Sequence, residues 1–121
     1  MSNNKKEQQL RHEHIVDTMN RLKPLVQETS ARYARDRWGM QLPEMPEFRY
    51  NSATAWRQLG PPWDVFADTV AGHIVTEHIV GVNLTLFEEQ FETFKGEGRL
   101  SDLDLFATYL VAHEGLIHGS C

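Results

Sequence analysis

A chain of 121 residues, 40% hydrophobic and 24% charged, is long enough for one domain whose core needs no staples. Its single cysteine, Cys121, excludes an internal disulfide and a four-cysteine zinc module. A formal net charge of −5, with the basic residues mostly before Arg57, argues against a broad basic surface for nucleic acid and leaves only a local phosphate contact by a basic N-terminal helix.

The opening stretch MSNNKKEQQLRHEH lacks the apolar core of a secretory signal. No apolar run approaches the roughly 18 residues that suggest a membrane span. The expected protein is soluble and cytoplasmic, with no membrane partner. Residues 1–9 read as a disordered tail, overlapping a helical pattern over 5–39. There Ile15, Met19, Leu22 and Val26 recur at helical spacing, and Tyr33 extends the stripe. Pro24 lacks an amide donor and is expected to kink this helix or start a second one. The prolines and glycine of WGMQLPEMPEF (38–48) end it.

Phe48, Tyr50 and Trp56 fall on alternating positions, which predicts a strand over 48–60, stopped by the turn GPPWD (60–64). GHIVTEHIVGVNLTLF (72–87) is rich in β-branched residues. Val80, Val82, Leu84 and Leu86 alternate with Gly81, Asn83 and Thr85, which predicts a half-buried strand or hairpin arm over 80–86. A short helix is expected over 88–94 and a loop over 95–99. Ser101 with Asp104 forms a variant capping box, and Asp102 suits the positive end of the helix dipole. The last helix is therefore expected to start near Ser101 and to bury Leu103, Phe106 and Leu110. The three tryptophans, Trp38, Trp56 and Trp63, read as core or lid residues. The expected class is α+β: an N-terminal helix, a small antiparallel or mixed sheet, and a C-terminal helix.

That last helix carries the candidate chemistry. His113 and Glu114 are followed by His118, five positions after the first histidine rather than the four of the zinc-peptidase pattern. On a regular helix, residues five apart point roughly 140° apart and cannot share one ion. A π-bulge absorbs one residue and restores the alignment, and Gly115, a weak helix former, stands where such a defect costs least. Glu114 with His118, or His118 with Cys121, are alternative pairs on one face. The competing reading is plain: two solvent-facing histidines near a helix end, with His118 favoured there by the dipole. His73 and His78 equally read as exposed strand histidines, and His12 and His14 carry no signal.

The succession VGVNLTLFEEQF then LFATYLVAHEGLIHG resembles the strand, loop and motif helix of zincin metallopeptidases. The upstream stretch LVQETSARYARDRWGMQLPEMPEFRYNSATAWRQLG is similar to the opening of SprT-like domains, with Leu42 and Pro43 at the turn. The likeness covers roughly residues 25–120. It implies a single zincin-like domain over 1–121, with His113 and His118 as zinc ligands and Glu114 as general base. The same H-E-x-x-x-H spacing occurs in the dipeptidyl peptidase III family, whose remaining sequence is not similar to this chain. Zincins take a third ligand downstream of the helix; here the candidates are water, Cys121, the upstream His78 or His73, or a group from another subunit. The resemblance also implies that the 80–86 strand holds substrate, with Val82 and Leu84 beside the metal.

Two functions follow as expectations. One is a small zinc-dependent peptidase-like hydrolase acting on a protein or peptide. The other is a zincin scaffold without turnover, serving as an acidic protein-binding or inhibitory module for a partner with a basic surface. The oligomeric state is left open.

Overall fold

The computed structural model describes residues 2–99 and 102–118. The apolar stripe of the first helix, α1 (Ser2–Trp38), buries Ile15, Met19 and Leu22, with Val26 packed at its margin. The helix begins at Ser2, so the expected tail over 1–9 is helical from that residue on. Its first turns are rich in Lys, Glu, Gln and Leu, straight-chain residues with high helix propensity, and Gln9 donates to Glu13 at 3.3 Å one turn on. Pro24 neither breaks nor restarts the helix. A mid-helix proline costs about 3 kcal/mol. Burial of Met19 and Leu22 on one side of it, and contact with a later helix, offset that cost.

Strand β1 (Glu47–Asn51) is shorter than expected, because Ser52 intervenes. Its hydroxyl accepts from the Ala55 amide at 3.2 Å and caps helix α2 (Ala53–Leu59). The predicted strand over 48–60 is thus strand only to Asn51, and Trp56 lies on a helix. A 3-10 turn over Trp63–Asp68 follows the Gly-Pro-Pro turn. Strand β2 (Ala71–Ile74) and strand β3 (Ile79–Asn83) then form a hairpin. The sheet order is β1-β3-β2, with β1 parallel and β2 antiparallel to β3.

β3 is central and buried at every position, not half-buried. The reason is a second layer. On one face Phe48, Val80 and Val82 meet α1 and the last helix. On the other, Phe66 lies over Gly72 and Gly81, which face each other across β2 and β3. A Cβ on Gly81 would run into the Phe66 ring. Trp56 and Ala67 complete this second cluster, and the Trp56 indole donates to the Val82 carbonyl at 2.9 Å.

Helix α3 (Leu84–Gly96) starts earlier than expected, because Asn83 is its cap and accepts from the Leu86 amide at 3.0 Å. Leu84 and Leu86 therefore belong to a helix rather than to the strand. Phe87, Phe91 and Phe94 surround Phe106 of α4 (Leu103–Val111), with ring centroids 4.8, 5.5 and 5.6 Å away. Asp102 caps α4, accepting from the Asp104 amide at 2.9 Å and from the Leu105 amide. Ser101 lies outside the described residues. Phe106 and Leu110 are buried as expected, and Leu103 is half-buried. The result is α+β: a long N-terminal helix, a three-stranded mixed sheet and a C-terminal helix. Among the described residues no helix is long and apolar enough to cross a membrane.

Candidate functional site

α4 does not end as an ordinary helix. From Ala112 to His118 the backbone is wound as a π-helix. Its i to i+5 hydrogen bonding stacks residue i+5 above residue i, so the backbone positions of His113 and His118 fall on one face. This is the distortion that five-residue spacing requires. The His118 side chain and Cys121 lie outside the described residues.

Gly115 explains part of the winding. It is buried, and a Cβ there would strike the sulfur of Met45, with Met45 Cγ at 3.3 Å and the Phe48 ring at 3.4 Å. The segment therefore packs closer to β1 and its lead-in than any other residue would allow. Gly115→Ala sets two effects against each other. Helix propensity favours alanine by about 1 kcal/mol, whereas overpacking typically costs about 1–3 kcal/mol. Met45 is itself buried and has little room to yield. A net loss of about 1–2 kcal/mol is expected in urea denaturation. A variant more stable than the parent would show that close approach is not why glycine stands here.

His113 is half-buried, its ring stacked on Tyr109 one turn earlier at 5.6 Å and 20°. Glu114 is only 9% exposed, and its carboxylate makes no hydrogen bond or ion pair among the described residues. Both border a cleft of about 270 Å³ that is also lined by Thr69 and Val70, which lead into β2, and by Ala71, its first residue. Phe94 and Phe106 form its apolar floor. A larger hollow of about 440 Å³ runs along the start of α1 past His12 and Ser52, and holds none of the motif residues.

The strand beside the motif is thus β2, not the one expected. β2 is an edge strand, antiparallel to its neighbour, and packs against the π-wound segment. Val82 is fully buried in the central strand, and Leu84 is buried in the first turn of α3. Neither lines the cleft beside His113 and Glu114. Four residues with a glycine among them gave little alternation by which to find β2.

His73 and His78 lie beside each other at the far end of the hairpin and do not line the cleft. Among the described residues no group of three histidine, cysteine, aspartate or glutamate side chains is gathered to hold a metal. Trp56 is a core residue, whereas Trp38 is 62% exposed and stacks edge-on against Tyr33.

Asn83 escaped the reading of the sequence altogether. Fully buried, it donates through Nδ2 to the carbonyls of Phe66 at 2.9 Å and Ala67 at 3.1 Å while capping α3. It fixes the 3-10 turn to the sheet just before the chain enters β2. Burial also pushes the Tyr50 phenol up to about 12. Comparison with family models, with curated proteins and with solved structures gives no match.

Proposed function

We propose that the chain is a zincin-like, zinc-dependent hydrolase of peptide bonds, with His113 and His118 as metal ligands and Glu114 as general base. The π-wound turn over Ala112–His118 carries this reading. π-helix is rare and concentrates at functional sites, and here it occurs on the six residues whose spacing demands it. The antiparallel edge strand beside the motif supports it as well, because zincins hold substrate along such an edge. The outer edge of β2 offers backbone groups to an extended peptide, with the Ala71 end, whose carbonyl accepts from the Thr69 hydroxyl at 3.1 Å, beside Glu114.

The chemistry follows from what each group can do. Zinc held by His113 and His118 would lower the pKa of a coordinated water to about 7 and would polarise a carbonyl. Glu114, poised in a cleft with an apolar floor, accepts the proton of the attacking water and delivers it to the leaving amine. Tyr109, stacked on His113, holds that ring's orientation. A cytoplasmic setting fits the lone cysteine.

A second reading keeps the scaffold without turnover, as an acidic module for a basic protein surface. Its support is the net charge of −5 and the lack of a third ligand among the described residues. Metal analysis separates the two. Protein purified without a histidine tag should carry or take up zinc at one equivalent through the motif, and His113→Ala should abolish that binding. If the parent and His113→Ala titrate alike, the hydrolase reading fails and the scaffold reading stands.

A further inference from the structure

The two histidines of the β2–β3 hairpin form an arrangement separate from the cleft. His73 is in register with Val80, and its Nε2 is shut off from solvent without a hydrogen-bond partner among the described residues. A ring nitrogen so placed has lost its water and gained nothing in return. Across the connection, His78 adopts φ 54° and ψ 49°, in the left-handed region that few side chains occupy. Its amide bonds the Val75 carbonyl at 3.1 Å, which fixes the turn. The two rings consequently meet edge to face, with centroids 6.0 Å apart. His78 Nε2 lies 3.4 Å from the Glu44 carbonyl oxygen. An Nε2–H directed there leaves the lone pair on Nδ1, the outer-shell pattern usual for a metal-ligating histidine.

The geometry points to a two-imidazole site for a divalent transition metal, built from His73 and His78 and independent of the HEGLIH motif. Two imidazoles on one tetrahedral zinc, each at about 2.0–2.1 Å, hold their centroids roughly 5–6 Å apart, as these rings stand. The ion supplies the partner that His73 Nε2 lacks. With no third protein ligand among the described residues, the ion binds more weakly than in a closed four-ligand site. Nitrogen donors select zinc, nickel or copper over magnesium and calcium, which require oxygen.

Zinc titration of the untagged full chain tests this, followed by calorimetry and by the histidine ring-proton signals in NMR. The His73 and His78 signals should shift together, and should still do so in His113→Ala. Magnesium at equal concentration should move neither. His73→Gln and His78→Asn should each weaken this binding at least about 100-fold, asparagine being chosen because it tolerates the left-handed backbone. Should the motif take no zinc, the pair still titrates, as the sole equivalent. The proposal is overturned if neither signal moves in the parent protein, or if either variant, natively folded by circular dichroism, binds as the parent does. Loss of both shifts in His113→Ala overturns the site's independence.

Discussion

Asn83→Ala should lower the stability of the chain by about 3–5 kcal/mol, measured as the midpoint shift in a denaturant titration with unchanged slope. The figure combines two losses. Removing an N-cap side chain costs about 0.5–2 kcal/mol, and each buried carbonyl left without its donor costs about 1–3 kcal/mol. Asn83 supplies the α3 cap and donates to both the Phe66 and Ala67 carbonyls. Asn83→Asp sharpens the argument, since it keeps the capping oxygen but turns a second acceptor toward those two carbonyls. Its carboxyl pKa is raised in the folded state by burial and by the facing oxygens. A folded pKa above the unfolded value means that protonation favours the folded chain. The aspartate variant should therefore be least stable near neutrality and recover toward the parent as pH falls through that raised value. If the alanine variant loses less than about 1 kcal/mol, the tether between the 3-10 turn and the sheet is not a source of stability.

Asn83 also shows where local pattern stopped being informative. In the sequence it stands on the polar face of an alternating run, between Val82 and Leu84, and reads as one more exposed strand residue. Its partners lie 16 and 17 positions earlier, in a turn whose placement depends on Phe66 settling over Gly81. No spacing rule connects them. Ser52 is the converse case: a capping residue directly before Ala-Thr-Ala, outweighed by the alternation of Phe48, Tyr50 and Trp56. A seven-residue helix makes only two turns, too few for its own periodicity to compete with that pattern. The longer elements were legible because their signals repeat. Ile15, Met19 and Leu22 identify the buried face of α1, and Phe106 with Leu110 that of α4. At the candidate site, the need for a distorted helix was legible from the interval between His113 and His118 alone. Which strand would flank it was not, since β3 has the stronger strand sequence and is central for that very reason. The edge position falls to four residues of weak pattern, whose pairing is set by the glycines beneath Phe66.

Glu114→Gln divides the proposed chemistry at its most sensitive point. Glutamine preserves the size and polarity of a side chain that is 9% exposed at the rim of the cleft, so the fold and the π-wound turn should persist. It has no basic carboxylate, so it cannot take a proton from water. If Glu114 is the base, zinc binding should stay within about twofold of the parent while hydrolysis of a fluorescence-quenched peptide mixture falls about 10²–10⁴-fold, in kcat rather than KM. His113→Ala should behave differently, losing the motif's zinc equivalent and hydrolysis together, because it removes a ligand rather than a base. Three results would break the assignment. Activity surviving in Glu114→Gln at equal zinc occupancy would place the base elsewhere or reveal a contaminating peptidase. Zinc lost along with activity would make Glu114 a ligand, as its position four residues before His118 would suit on a regular helix. A rise in KM alone would mean that the carboxylate holds peptide along β2 and takes no part in moving the proton.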